Sequence, residues 1–127
     1  MNINISIDIE DEIRKALSPY VTAYCRPLPK NLALPSVEVR KIGGSETNTI
    51  DTFMVMLYAR AKEDAEADEL IRKAVGILKT VSKEQTCAIR DIQINAGGSW
   101  TEDPVRPDLA MCSTTLMVVA HTEDINI

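Results

Sequence analysis

Three cysteines and one histidine are the residues of this sequence best suited to nucleophilic chemistry. A thiol beside an imidazole can act as nucleophile and base, so the pairs Cys112–His121 and Cys25–His121 are both conceivable. Nothing in the surrounding sequence marks either thiol as activated. This favours cysteines in the core and His121 on the surface at the end of a strand. The odd number of cysteines and the lack of a CxxC spacing argue against a disulfide framework and a zinc site.

The adjacent carboxylates of Glu102 and Asp103 could serve acid–base or metal chemistry. A general acid needs a buried or charge-coupled site to shift its pKa, and a segment rich in glycine and proline predicts solvated side chains instead. The glycine pairs at 43–44 and 97–98 lack the GxGxxG and GxxxxGK patterns, and neither opens a helix after a strand. We interpret both pairs as turns.

Trp100 and the methionines are the remaining candidates for a binding surface. A lone tryptophan in a loop could anchor a partner protein or could lie over the end of a sheet, and the sequence leaves both readings open. Met54, Met56, Met111 and Met117 fall on predicted strands, which favours a place in the core over a soft-metal site. The sequence therefore predicts no catalytic, cofactor-binding or metal-binding residue.

Residues 50–83 organise the predicted fold, as one long strand followed by one long helix. In 50–60 both phases of the strand pattern are largely apolar, which predicts a central strand covered on two sides. Apolar residues then recur at helical spacing, with acids at the start and lysines at the end, as suits the helix dipole. The apolar stripe consists of Ala67, Leu70, Ile71, Ala74, Val75, Leu78 and Val81.

The first residues fit two patterns. Isoleucines at positions 3, 5, 7 and 9 alternate with polar residues as in an edge strand, whereas Ile9, Ile13 and Leu17 suit a helix. We predict a helix over 8–18, capped by Asp8 and ended by Pro19. The residues before it are predicted to form an arm that packs on this subunit or reaches a neighbour.

The other segments alternate between strands and loops. Strands are predicted at 21–25, 36–42, 86–95 and 109–122, and mobile loops at 43–48 and 96–108. In 36–42 the alternation places Glu38 and Arg40 outward, and a change of phase near Asp91 predicts a bulge or a strand that changes environment along its length. The predicted fold class is α/β of the α+β type: a mixed, mainly antiparallel sheet with two helices packed on it, in the order α-β-β-β-α-β-β.

Length and charge limit the functional classes. The chain has 127 residues, which suits a single domain spanning 1–127, and a net charge of −5. No apolar run reaches the ~20 residues that span a bilayer, and no signal peptide is recognisable, so we expect a protein of the cytoplasm. Without a basic cluster or several aromatic residues, tight binding of nucleic acid is not expected. An acidic surface would still let DNA pass without sticking.

The order of motifs resembles the tail terminator and tail completion proteins of long-tailed bacteriophages. The first match is PSVEVRKIGGSETNTIDTFMVMLYARAKEDAEADELIRKAVGILKTV, in which a strand of the PxVxVxxxGG type enters a polar loop, and a long strand and a helix with an acidic, alanine-rich start follow. The second match is GGSWTEDPVRPDLAMCSTTLMVVAHT, which is similar to the Gly/Trp loop, DP step and final strand of that family. The resemblance covers most of the chain, from about Asp8 to Thr122.

This resemblance implies a structural virion protein that forms a ring, usually six-fold, on the head-proximal end of the tail tube. Such a ring stops tube polymerisation and presents the surface that docks onto the head connector. The implied partners are further copies of the chain, the tail tube protein and a head connector or head-completion protein, with DNA only passing through the lumen. No membrane, cofactor or enzymatic activity is expected. The protein would be made in the host cytoplasm and reside in the virion tail.

Residues of the strand 36–42 and of the two loops are the predicted interface. The set comprises Glu38, Arg40, Glu46, Trp100, Glu102, Asp103 and Arg106. Two alternatives remain open at this point. One is another neck or tail-completion protein of the same machinery, and the other is a small thiol-dependent enzyme that uses a cysteine with His121.

Overall fold

The computed structural model describes residues 1–46, 50–104 and 106–127. It contains two helices and a mixed, mostly antiparallel sheet, so the predicted α+β class is confirmed. The elements in chain order are β1 (Asn2–Ile5), α1 (Ile9–Leu17), β2 (Ala23–Tyr24), β3 (Ser36–Ser45), β4 (Ile50–Ala61), α2 (Asp64–Glu84), β5 (Ile89–Thr101), β6 (Ala110–His121) and β7 (Glu123–Asn126). The predicted order recurs from α1 to β6, with one further strand at each end of the chain.

The main sheet has the strand order β2-β3-β4-β6-β5. β2 runs parallel to β3, and each remaining neighbouring pair is antiparallel. β4 and β6 pair along their whole length, from Ile50 opposite His121 to Ala61 opposite Ala110. The predicted change of phase in β5 is confirmed, because its register with β6 shifts between Ile89 and Asp91.

Both helices pack on the same face of this sheet. Along β4, alternate residues such as Phe53, Val55 and Leu57 are buried and belong to one core cluster with both helices. The predicted stripe of α2 is buried from Ala67 to Leu78. At ~25 cal/mol per Å² of apolar surface, a core of this kind supplies the main driving force of folding.

Within the described residues, no helix covers the other face of the sheet. Met54, Met56 and Tyr58 of β4, together with Met117 of β6, are half-buried and lie in the opposite phase to the core residues. The prediction that β4 is covered on two sides is therefore wrong, and these three methionines lie outside the core. The sequence shows that both faces of the strand are apolar, but it does not show whether the chain has a second layer of helices to cover the other face.

The termini form a separate two-stranded ribbon. β1 pairs with β7, with Ile3 opposite Ile125. The Asn4 side chain donates hydrogen bonds of 2.8 Å to Thr122 Oγ1 and to Asp124 Oδ1. The predicted arm is thus a strand tied to the end of this same chain, as the alternative edge-strand pattern allowed. The predicted helix is confirmed from Ile9 onward. Asp8 caps it by accepting a hydrogen bond from the Asp11 backbone N–H.

The first parts of two predicted loops are strand. β3 extends through Gly43, Gly44 and Ser45, and β5 extends through the second glycine pair to Thr101. Both hairpins are longer than predicted because a glycine weakens a strand without preventing its backbone from pairing. Thr47, Asn48 and Val105, which the loop predictions also included, lie outside the described residues.

Gly44 gives a test of the β3–β4 pairing. Its φ of +143° is disfavoured for residues with a side chain, and a Cβ there would overlap Thr52 O and lie 2.9 Å from the Phe53 Cα. We expect Gly44→Ala to lower the free energy of unfolding by about 1–3 kcal/mol, measured by chemical denaturation. Gly43→Ala is the matched control, because a Cβ at Gly43 meets nothing within 4 Å. Equal stability of the two variants would contradict the argument.

Candidate functional site: a groove above a buried charge network

A buried ionic network links β3, β4 and the segment after β5. Arg60 donates from Nε to Asp103 Oδ2 at 2.6 Å and from NH1 to Glu38 Oε1 at 2.8 Å. Glu38 and Asp103 are each 1% exposed and Arg60 is 7% exposed. Since an unpaired buried charge is very costly, the three side chains can be buried only together.

The register of the strands explains how the network forms. Glu38 lies opposite Tyr58 in the β3–β4 pair, so Arg60 is its diagonal neighbour on the same face. The 102–108 connection then brings Asp103 to the other side of the guanidinium. Burial alone would lower the pKa of Arg60, but the hydrogen bonds that it donates to Asp103 and Glu38, with the charges of these carboxylates, outweigh burial and raise the pKa. Arg60 therefore stays charged at any pH at which the protein folds.

Arg40 extends the network to the surface. It donates from Nε and NH2 to Glu38 Oε2, at 3.0 and 2.6 Å. The Tyr58 ring has Arg40 at 5.2 Å and Arg60 at 5.9 Å from its centroid, so both guanidiniums lie within cation–π distance of one ring. These contacts hold four side chains of the uncovered face in one arrangement.

A groove of about 910 Å³ lies above this network. One wall is the β2–β3 connection around Leu28 and Leu32, and the other is the segment from Thr101 to Arg106. The floor contains Tyr58, Arg60 and Met111. The lining residues are Arg26, Pro27, Leu28, Pro29, Lys30, Leu32, Arg40, Tyr58, Arg60, Thr101, Glu102, Asp103, Pro104, Arg106 and Met111.

The groove lining contains more cations than anions, although the whole chain is acidic. Arg26, Lys30 and Arg106 are exposed at its rim. Arg106 pairs with Asp108 at 3.1 Å, Arg26 lies 3.7 Å from a carboxylate oxygen of Glu10, and no ion pair within the described residues includes Lys30. This combination of apolar walls and rim cations suits a partner that presents an apolar side chain among carboxylates.

The structure brings most of the predicted interface residues to this site. Glu38, Arg40 and Asp103 belong to the network, and Glu102 and Arg106 line the groove. The predicted outward orientation of Glu38 and solvation of Asp103 are wrong, because Arg60 recruits both carboxylates into the interior.

Two predicted residues lie elsewhere. Trp100 is 55% exposed on the helix-covered side of β5, near the end of that strand and opposite Cys112 in the register. Glu46 is exposed beyond the end of β3 beside Lys41 and Phe53. Neither residue lines the groove.

Sequence reasoning did not select Arg60, the centre of the network. A signal was available, because Arg60 continues the phase of Met54, Met56 and Tyr58 in a strand predicted to be central. A cation in such a strand is rarely buried without a partner. The position of Asp103 could not be found in this way, since its contact with Arg60 joins residues 43 positions apart.

The conceivable cysteine–histidine pairs receive no support from the geometry. Cys112 and His121 lie nine positions apart on β6, which corresponds to roughly 30 Å along a strand. The Cys25 thiol contacts the Glu10 carbonyl oxygen, at 3.3 Å. Burial raises the pKa of Cys112, with a smaller contribution from Asp68, and burial followed by Glu10 raises the pKa of Cys25. A raised pKa lowers the thiolate fraction at neutral pH.

Three further findings bear on function. Among residues 1–46, 50–104 and 106–127, no cluster of histidine, cysteine and carboxylate side chains could hold a metal ion. In the same part of the chain, no helix combines the length and apolar character needed to cross a bilayer. Neither a protein-family model nor a curated protein sequence matches this chain.

Removal of the Arg60 charge tests the network. Arg60→Met would leave Glu38 and Asp103 buried without a shared cation, so we expect a loss of about 3–5 kcal/mol in the free energy of unfolding. Arg72→Met is the control, because Arg72 pairs with Asp68 at 3.1 Å on an exposed helix surface, and its loss should cost less than about 0.5 kcal/mol. Urea denaturation of both variants measures the difference. A similarly small loss of stability in both variants would show that Glu38 and Asp103 can stay buried without Arg60 at no cost in free energy.

Thiol reactivity tests the nucleophile hypothesis. We expect Cys25 and Cys112 to react with iodoacetamide at pH 7.5 more slowly than free cysteine, because burial raises both pKa values. Mass spectrometry of alkylated peptides gives the rate at each site, and urea-unfolded protein gives the accessible rate for comparison. A cysteine that reacts faster than free cysteine in the folded protein would revive the thiol-enzyme hypothesis.

Proposed function

We propose that this protein is a structural virion protein that forms a ring at the head-proximal end of a phage tail tube. The ring stops tube polymerisation and provides the surface on which the head connector docks. The proposal rests on the resemblance in motif order to tail terminator proteins, and the α+β fold is compatible with that resemblance.

The main structural support for an assembly role is the uncovered face of the sheet. Met54, Met56 and Met117 are partly exposed there, side by side on the paired strands β4 and β6, with Met54 directly opposite Met117. Partly exposed apolar side chains grouped on one face offer a surface that another protein can cover. Methionine side chains are flexible and adapt to the surface that packs on them, which suits a face that must meet more than one partner.

The charge of the protein fits a conduit. A net charge of −5 per copy gives an assembled ring a strongly negative total charge, so DNA passing through the lumen would be repelled from the wall. The partners in this proposal are further copies of the chain, the tail tube protein and the head connector or head-completion protein. No cofactor or catalytic residue is required.

Deletion of the gene from the phage tests the proposal. We expect headless tails of uncontrolled length in electron micrographs of lysates, because nothing would end tube growth. A complementing plasmid copy is the control and should restore tails of normal length. Tails of normal length that stay detached from heads would instead indicate another neck or tail-completion protein. Normal infectious particles would refute a role in the tail.

A further inference from the structure

The β1–β7 ribbon has one apolar face and one polar face. Residues that pair across two strands share a face, and so do alternate residues along each strand. The pairing of Ile3 with Ile125 therefore defines the apolar face, which carries Ile3, Ile5, Ile125 and Glu123. The other face is polar throughout and carries Asn2, Asn4, Asp124 and Asn126.

The body of the same copy does not bury this apolar face. Ile5 is exposed, and Ile3 and Ile125 are only partly buried. In the described part of the chain, neither the core cluster nor the apolar side chains packed around it include an isoleucine of the ribbon, and the first residue that does pack there is Ile7. A two-stranded ribbon that lacks packing against other elements is only marginally stable in water. A partner that covers the isoleucines would therefore stabilise it.

Strand propensity does not explain why the two faces differ. Isoleucine favours a strand whichever side it lies on. In a ribbon with water on both sides it would suit positions 2, 4, 124 and 126 equally well, yet these positions hold asparagine and aspartate, and every isoleucine of the two strands lies on one face. This division is typical of strands that pack one face against another surface.

The groove has the properties that complement this face. Its walls contain Leu28 and Leu32, and its rim carries Arg26 and Lys30. Its volume of about 910 Å³ is within the ~300–1,000 Å³ of pockets that hold a drug-sized group, so isoleucine side chains fit inside it. Glu123 and Lys30 supply opposite charges, and no ion pair within the described residues includes either of them.

The ribbon and the groove lie at opposite ends of the sheet. Met111 of the groove floor is the second residue of β6, at the end where Ala61 completes β4. β6 ends at His121, and β7 begins two residues later, at Glu123. Since β6 has 12 residues, it spans roughly 40 Å. The ribbon strands have 4 residues each, so they are too short to reach the groove of their own copy.

We propose that the β1–β7 ribbon of one copy docks into the groove of the next copy, with its isoleucines against the apolar walls and Glu123 at the cationic rim. This inference rests on the proposed ring and names the contact between neighbouring copies. Two different surfaces at opposite ends of the molecule make a heterologous contact. Such a contact repeats from copy to copy and closes into a ring when the rotation allows.

Removal of one ribbon isoleucine tests the apolar part of the contact. Ile5→Asn changes an exposed side chain, so circular dichroism and thermal melting should show a folded protein. Self-association should weaken at least about tenfold, because an apolar anchor is lost from the centre of the contact. Ile94→Asn is the matched control, since Ile94 is an exposed strand residue outside both surfaces, and it should associate within about twofold of the wild type. Light scattering and sedimentation across protein concentration measure the association.

Charge reversals test the polar part and show whether these two surfaces meet each other. Glu123→Lys and Lys30→Glu each place like charges across the contact, so each variant alone should self-associate at least about tenfold more weakly at low salt. An equimolar mixture should regain assembly, because the altered ribbon complements the altered groove and the two unaltered surfaces complement each other. Glu69→Lys and Lys73→Glu are the matched controls, with the same changes in charge at exposed positions of α2. Both should associate as the wild type does, alone and mixed.

Each other outcome overturns the inference. Association that survives Ile5→Asn or either reversal, or a mixture of the reversed variants that stays dissociated, means that the copies meet through different surfaces. A wild-type protein that remains a monomer at every concentration excludes the contact as a self-assembly site. None of these results decides the proposed function, because the tail-length phenotype of the deletion tests that separately.

Discussion

The packing of both helices on one face of a five-stranded sheet is the constraint on which the rest of this structure depends. It divides β4 into a phase that packs in the core, with Phe53, Val55 and Leu57, and an opposite phase that is partly exposed from Met54 to Tyr58 and ends in the buried Arg60. A chain of this length with only two helices in its described part has no further layer to place over the second face. That face must then be stabilised by its own side chains or covered by another molecule.

The ionic network stabilises one end of the uncovered face. Burial of three charged side chains is tolerated because each carboxylate accepts a short hydrogen bond from Arg60. Such a network adds little net stability over apolar packing, but it is strongly selective for one arrangement, since any displacement leaves a charge unpaired. It fixes the position of the segment that carries Asp103 and therefore the width of the groove. The remainder of the face, around Met54 and Met117, is lined mainly by partly buried apolar side chains.

The groove and the methionine surface are the two halves of the uncovered face, and they suit different kinds of contact in the proposed assembly. The groove has the ionic network at its floor and cations at its rim, which favours a partner of complementary charge. The methionine surface is apolar and adaptable, which favours contact with surfaces that differ from one another. The proposed ring would use both, because it would contact identical neighbours within the ring and different proteins above and below it.

Much of the architecture was predictable from local patterns. The apolar periods placed β4 and α2 at nearly their observed bounds, Asp8 was recognisable as a helix cap, and the phase change near Asp91 marked a real bulge. These features depend on residues close in sequence, whose spacing alone determines which side chains share a face. The strand ends near the glycine pairs were placed too early, because pairing with β4 and β6 carries both strands through their glycines.

Only part of the candidate site could be predicted from the sequence. Glu38, Arg40, Asp103 and Arg106 were selected as surface charges, which is what their polar character and loop-like context indicate. That Arg60 draws Glu38 and Asp103 into the interior depends on contacts between residues 22 and 43 positions apart, which no local pattern encodes. The sequence by itself thus determined the elements and the two apolar faces of β4. Only the tertiary structure decided which face the helices cover and which charges are buried, because both are settled by packing between distant segments.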